Sequence, residues 1–277
     1  AWPARSLVCN KPMLLVDSHC HLDFPVFDAD RQTLLEQARQ QGVTRVVVAA
    51  VKAAGWPRLW ELVEQHSMLY GSLGLHPCFL AEHDARHLGE LQQWLERLRG
   101  HPRLCALGEI GLDYAQADSP RDAQQALLLA QLQLAKAFNL PVLLHVRHAH
   151  ADCIALLKQL RLPRAGIVHA FSGSYEEARE YLRMGFKLGL GGAATWSAAS
   201  RLQRVLARLP LHGVVLETDA PDMAPAMFAG QRNSPTHLPA ICTALATHLH
   251  CSPEQLAWHS SRNCAELFAW PDLALAP

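Results

Sequence analysis

The sequence predicts a single α/β domain, a (β/α)8 TIM-type barrel with a metal site at the C-terminal mouth of its strands. Three observations carry that prediction. Eight short apolar runs recur along the chain, longer amphipathic stretches separate them, and no linker or low-complexity segment interrupts the series. Strand-like runs alternating with helices imply parallel strands joined by crossovers. A count of eight favours a closed barrel over an open doubly wound sheet.

The runs, in order, are Leu14–Val16, Val46–Ala49, Leu69–Ser72, Leu104–Leu107, Val142–Leu144, Gly166–Val168, Phe186–Leu188 and Val214–Leu216. Each is short, partly β-branched and flanked by glycine, proline or polar residues. Between them, ADRQTLLEQARQQG ends in Gly42, a helix stop, and PRDAQQALLLAQLQLAKAFN opens on Pro120. SYEEAREYLRMG begins with Ser174 and carries Glu177 three residues on, the pattern of a capping box. SAASRLQRVLARLP stops at Pro210, and helical stretches around 235–249 and 253–268 close the chain. The barrel is expected over residues 13–277. Residues 1–12, AWPARSLVCNKP, fit no structural period and are expected to be an extension or expression remnant.

Composition narrows the functional classes. The 277 residues are 50% hydrophobic, enough for a sizeable core. Lysine plus arginine (25) balances aspartate plus glutamate (25), which argues against holding nucleic acid by global charge and leaves room for a local basic rim. Eight cysteines are scattered without a CxxC pair, as expected of reduced thiols in a cytoplasmic protein. No apolar stretch approaches the roughly 18 residues of a membrane span. Sixteen histidines are the oddity, and they raise the expectation of a metal or acid–base site.

Position sharpens that expectation, because barrel chemistry is built at strand C-termini. After the first run come His19 and His21, whose i, i+2 spacing in extended chain projects both to one face. The third run leads to His76 in GLHP, and the fourth to Glu109 and Asp113 in GEIGLDY. His145 ends the fifth, His169 the sixth, and LETDAPD at the eighth brings Glu217, Asp219 and Asp222. A lone strand-end histidine is more often a hydrogen-bonded structural residue than a ligand, and Asp219 alone reads as a helix cap. The ordered set HxH, E, H, H, D at corresponding points of one ring is a much stronger signal.

Imidazole plus carboxylate suits zinc, manganese, iron, cobalt or nickel, whereas magnesium prefers oxygen. Two ions sharing Glu109 would use His19, His21, Glu109 and Asp219 for one and Glu109, His145 and His169 for the other. One ion with spare histidines is the competing count.

The phrases around these residues (DSHCHLDF, GLHP, GEIGLD, LPVLLHVR, HAFSG, GFKLGLGG, ETDAP, RNSP) resemble the TatD family of metal-dependent deoxyribonucleases and hydrolases, within the amidohydrolase-like superfamily. The likeness spans the chain after Met13 and is nearest the bacterial YjjV-type branch. It implies a barrel, two divalent ions (Mg, Zn or Mn), and phosphodiester hydrolysis of DNA, often from a 3′ end. By motif position it makes His19, His21, Glu109, His145, His169 and Asp219 the ligands. The loop MAPAMFAGQ after Asp222 departs from the tyrosine-containing version of other branches, which leaves substrate preference open.

For such chemistry Asp219 and Glu109 are the expected catalytic residues. Arg147, His76, Arg232 and Asn233, with Ser172 behind them, are the expected substrate contacts. Glu217 reads equally as a residue supporting the ligands, while Tyr114, Phe171 and Trp196 are candidate stacking platforms. The expected partner is DNA, single-stranded or at its 3′ ends, or a small phosphodiester, with no membrane. Hydrolysis of a cyclic amide, lactone or amino-purine is the alternative enzyme class. A bridging carbamylated lysine would favour it, and the fourth strand end offers Glu109 instead. A binding protein that has lost turnover is the non-enzymatic alternative, and no ligand position is missing as such a loss would leave it.

Overall fold

The computed structural model describes residues 13–115 and 120–271; the expectation for residues 1–12 lies outside them. The apolar runs form strands because their side chains are buried on both faces, as parallel sheets require. β1 (Leu15–Cys20), for example, is buried along its whole length. It is followed by β2 (Val43–Ala49), β3 (Leu69–Leu73), β4 (Leu104–Asp113), β5 (Val142–Arg147), β6 (Gly166–Val168), β7 (Lys187–Leu190) and β8 (Val214–Leu216). All neighbours pair parallel, in sequence order.

Closure comes at the β8–β1 seam through irregular contacts. Asp219 N–H donates to His19 O at 2.9 Å and His21 N–H to Ala220 O at 2.8 Å. Asp17, fully buried, accepts from Thr218 N–H at 2.9 Å and from Thr218 Oγ1 at 2.5 Å. Asp17 is therefore the polar clasp between the first and last strands. The result is a (β/α)8 barrel of the TIM type, and its strand C-termini open on one mouth.

The helices cover the sheet: α1 (Arg31–Gln40), α2 (Trp56–Gln65), α3 (Ala85–Arg97), α4 (Arg121–Phe138), α5 (His150–Leu160), α6 (Tyr175–Arg183), α7 (Ser200–Leu206), α8 (Leu238–His248) and α9 (Pro253–Phe268). Gly42, at φ 94°, follows α1 as expected. Ser174 and Glu177 form the predicted capping box on α6. α2, α3 and α5 were not among the expected helices. α4 carries two buried glutamines seven residues apart on one face. Gln124 binds Asp113 N–H and C=O at 2.8 Å each, and Gln131 binds Leu75 N–H at 2.8 Å and C=O at 3.1 Å. The helix thus pins the backbone beside the third and fourth strand ends. The cysteines of the described residues are all free, and no described helix is long and apolar enough to cross a membrane.

Candidate metal centre

Five of the strand-end histidines singled out by the sequence converge on one carboxylate, that of Glu109. Glu109 sits where the β4–β5 register shifts, between Leu107 and Ile110, an irregularity that re-aims a side chain. Its two oxygens face different partners. Oε2 lies 3.2 Å from His19 Nε2 and 3.4 Å from His21 Nε2. Oε1 lies 3.1 Å from His145 Nδ1, 3.0 Å from His169 Nε2 and 3.0 Å from His76 Nε2. Asp219 closes the first side, with Oδ1 3.7 Å from His19 Nε2 and 3.5 Å from His21 Nε2.

The electrostatics follow from this crowding. Burial alone would raise the Glu109 carboxyl, but His76, His169 and His19 outweigh it and hold the group well below its ordinary value. Asp219 is likewise held down against burial, by His169, His21 and His19. Conversely, burial opposes charge on His21 and His169, and the facing carboxylates still push both well above an ordinary imidazole. Two buried carboxylates therefore demand positive charge between them and the imidazoles. Protons on the rings or bound cations can supply it.

These residues fit a metal. Ligands bound at about 2.0–2.2 Å in a tetrahedron stand about 3.3–3.6 Å apart, and the separations of the His19 and His21 nitrogens from the Glu109 and Asp219 oxygens run from 3.2 to 3.7 Å. Donor atoms of His19, His21 and Glu109, of His19, His169 and Asp219, and of Glu109, His145 and His169 each lie within 4.8 Å of one another.

Surrounding groups fix the rings. His21 Nδ1 donates to Ala49 O at 2.8 Å, so that in the neutral ring Nε2 is the nitrogen open to a metal. His145 Nε2 meets Asp113 Oδ2 at 3.0 Å. His169 Nδ1 faces Glu217 Oε1 at 3.5 Å, while that oxygen accepts from Ala170 N–H at 2.5 Å. Glu217 is fully buried, and its place requires Gly189, where a Cβ would come within 2.1 Å of Glu217 Oε2. Asp113 was flagged by position alone; its role needed the contact with His145. Cys78 joins His76 and His145 in a further donor group. Burial and Asp113 push its thiol up to about 12, so it acts as a donor to Asp113 Oδ2 at 3.3 Å.

A cavity of about 530 Å³ opens over this floor, lined among others by His76, Arg147, Phe171 and Ser172. Two of the expected substrate contacts lie elsewhere. Arg232 is bound to Asp30 and to Val26 O, over the Phe27 ring, and does not line the cavity. Asn233 is fully buried, its Nδ2 donating to Thr218 O at 2.7 Å and Asp222 O at 2.8 Å, which ties down the loop after β8. Tyr114 also lies outside the cavity lining, its hydroxyl on Asp152 Oδ2 at 2.9 Å. Phe171 is 2% exposed and packs on Tyr181 and His150. Trp196 is exposed beyond the cavity, its indole N–H on Ala224 O at 3.0 Å. Cys20, between the two histidines and of opposite parity, is buried with its thiol toward Ala220 O.

Comparison with known proteins gives the family. The family model described as TatD related DNase matches residues 16–269. The chain is 41% identical over 256 residues to the uncharacterized metal-dependent hydrolase YjjV of Escherichia coli K12, covering 92% of this chain and 98% of that one. The crystal structure of that TatD homolog superposes with a TM-score of 0.90 at 40% identity, covering 94% of this chain and all of the other. A Pantoea vagans protein named 3′-5′ ssDNA/RNA exonuclease TatD is 33% identical over 264 residues, 92% of this chain and 99% of its own. With the barrel, the carboxylate-centred donor ring and this full-length likeness in hand, the chain belongs to the TatD family of metal-dependent hydrolases.

Proposed function

We propose that this hydrolase cleaves phosphodiester bonds of DNA, as a nuclease acting at single-stranded or 3′ ends in the cytoplasm, with two divalent ions. The observation that carries the two-ion reading is the division of Glu109, Oε2 toward His19 and His21 and Oε1 toward His145 and His169. His19, His21, Glu109 and Asp219 would hold one ion, and Glu109, His145 and His169 the second. When bound, such a pair supplies an activated water near neutral pH and charge relief for the phosphate oxygens.

The chain's own groups do the rest. Asp219, at the cavity floor and kept in its base form by three imidazoles, is placed to take the proton of the attacking water. Glu217 and Asp113 hold the rings of His169 and His145. His76 is spent on Glu109 Oε1 and steadies that carboxylate. Arg147, exposed at the cavity edge, is free to meet a phosphate oxygen. The exonuclease name of the Pantoea relative supports the substrate class.

The test is turnover by protein loaded with Mg, Mn or Zn on oligonucleotides, a dihydropyrimidine and a lactone, with the ions counted by anomalous scattering. Chelator-sensitive cleavage of the oligonucleotides is expected. Turnover of the cyclic amide or lactone with none of the phosphodiester would overturn the proposal.

A further inference from the structure

The lining cation of the mouth and the bulky apolar side chains of its first loops stand apart, with Leu190, Ala193, Ala194 and Leu202 along the β7 side. The loops after β8, β1, β2 and β3 present Met223, Phe24, Val51 and Phe79 to the cavity, a continuous apolar arc. Phe24 stacks on His21 with ring centroids 5.0 Å apart, so this arc reaches the metal-ligand cluster itself. Across from it, the ends of β5 and β6 present Arg147 and Ser172. Among the described residues Arg147 is the one lysine or arginine that lines the cavity.

The cations on and beside the apolar arc are engaged by neighbouring acids and carbonyls, with Arg31 and Arg58 sharing Asp28. Lys52 is held by Glu82 at 3.0 Å and lies over the Phe79 ring. Arg31 is held by Asp28 at 2.6 Å and by Leu22 O and Phe24 O. Arg58 is held by Asp28 and Asp23 O, Arg86 by Asp84 at 2.7 Å, and Arg232 by Asp30 and Val26 O. A groove that tracks a nucleic-acid backbone needs a row of free cations with aromatic platforms between them. Among the described residues, the lining of this mouth offers one cation, Arg147, and one apolar arc.

We infer that the cavity recognises a single phosphodiester flanked by one base, as at the end of a short fragment or in a dinucleotide, and does not track a long strand. Arg147 takes the phosphate, and Phe79, Phe24 and Met223 take the base. The inference rests on the phosphodiesterase reading for its chemistry, and on the mouth alone for its recognition.

The two are separable by experiment. Full-length protein loaded with Mn is given a thymidine dinucleotide and an oligothymidylate of about twenty residues. Cleavage is followed on the natural linkages, and binding on phosphorothioate-linked versions. The expected result is affinities within about threefold of each other, with a log–log salt slope near −0.7, that of one neutralised phosphate on a single strand. Phe79→Ala is expected to weaken the dinucleotide at least about fivefold and leave inorganic phosphate binding unchanged. Met223→Ala, at an exposed position, is a second probe of the arc should the phenylalanine variant fold poorly. Arg147→Ala is expected to weaken both nucleotides and remove the remaining salt dependence. A preference of tenfold or more for the long strand with a slope steeper than about −2 overturns the inference. So does absence of binding by either probe, or an arc whose variants bind as before. Equal, salt-tolerant binding without cleavage would sink the phosphodiesterase reading and leave the recognition intact.

Discussion

Asp113 Oδ2 meets His145 Nε2 at 3.0 Å, and this one contact turns Nδ1 of the same ring toward Glu109 Oε1 at 3.1 Å. The carboxylate fixes which ring nitrogen is left for a metal, and it raises the basicity of that nitrogen. Burial alone would raise the Asp113 carboxyl. His145 and the Ala115 N–H hold it well below the usual range. Asp113→Asn should lower the affinity of the His145–His169 side by about 10–100-fold and leave the His19–His21 side nearly unchanged. Competition with a chromogenic chelator reads the two sites separately. Equal loss at both would contradict the assignment.

Glu109 and Asp219 make unequal demands. Since Glu109 faces both groups of histidines, Glu109→Ala should empty both sites, while Asp219→Ala should reduce the His19–His21 side and spare the other. Elemental analysis of the purified variants, beside their turnover, distinguishes these outcomes. Full metal-dependent activity in either variant would show that the centre lies elsewhere.

Removing the metal should abolish turnover and also destabilise the fold. An ion at a hundred times its Kd adds about 2.7 kcal/mol, so chelation should lower Tm by roughly 5–10 °C for a domain of this size. Readdition of Mn or Zn should restore both. Calorimetry with and without chelator makes the measurement.

At the barrel seam, Thr218→Val removes the hydroxyl that donates to Asp17 Oδ2 at 2.5 Å inside the protein. Asp17 is fully buried, so its lost partner is not replaced by water. A cost of about 1–3 kcal/mol is expected, read by urea denaturation of the chelated protein. A loss below about 0.5 kcal/mol would mean that the seam does not depend on this clasp.

Gln131 offers a test remote from the metal. Gln131→Ala leaves Leu75 N–H and C=O without their partner in a buried place, one residue from His76. A cost of about 1–3 kcal/mol is expected, with metal content kept. Urea denaturation of the loaded protein checks the first, and elemental analysis the second.

Much of this was legible in the chain because it is local. Apolar runs of strand length, the Ser174–Glu177 cap and the Gly42 stop depend on near neighbours, and each appears where the spacing placed it. The ligand-type residues were legible for a related reason. A barrel brings every strand end to one rim, so position along the chain becomes position around a ring. Contacts between distant side chains were not legible. Arg232 and Asn233 read as phosphate contacts because of their residue types, yet Asp30 claims the first and Thr218 and Asp222 the second. Nothing in QRNSP announces those partners, which lie about 200 residues away for Arg232.

The sequence by itself determined the barrel, the order of its strands and the donor set, because periodicity and strand-end chemistry are written residue by residue. The tertiary structure decided how the donors are shared: Glu109 between two groups of histidines, Asp113 behind His145, Asp17 across the seam. It also decided which cations are claimed, leaving Arg147 at the mouth while acids a few ångströms away occupy Arg31, Lys52 and Arg232. Those choices depend on distances across the fold, where burial and charge select one partner among many of the right type.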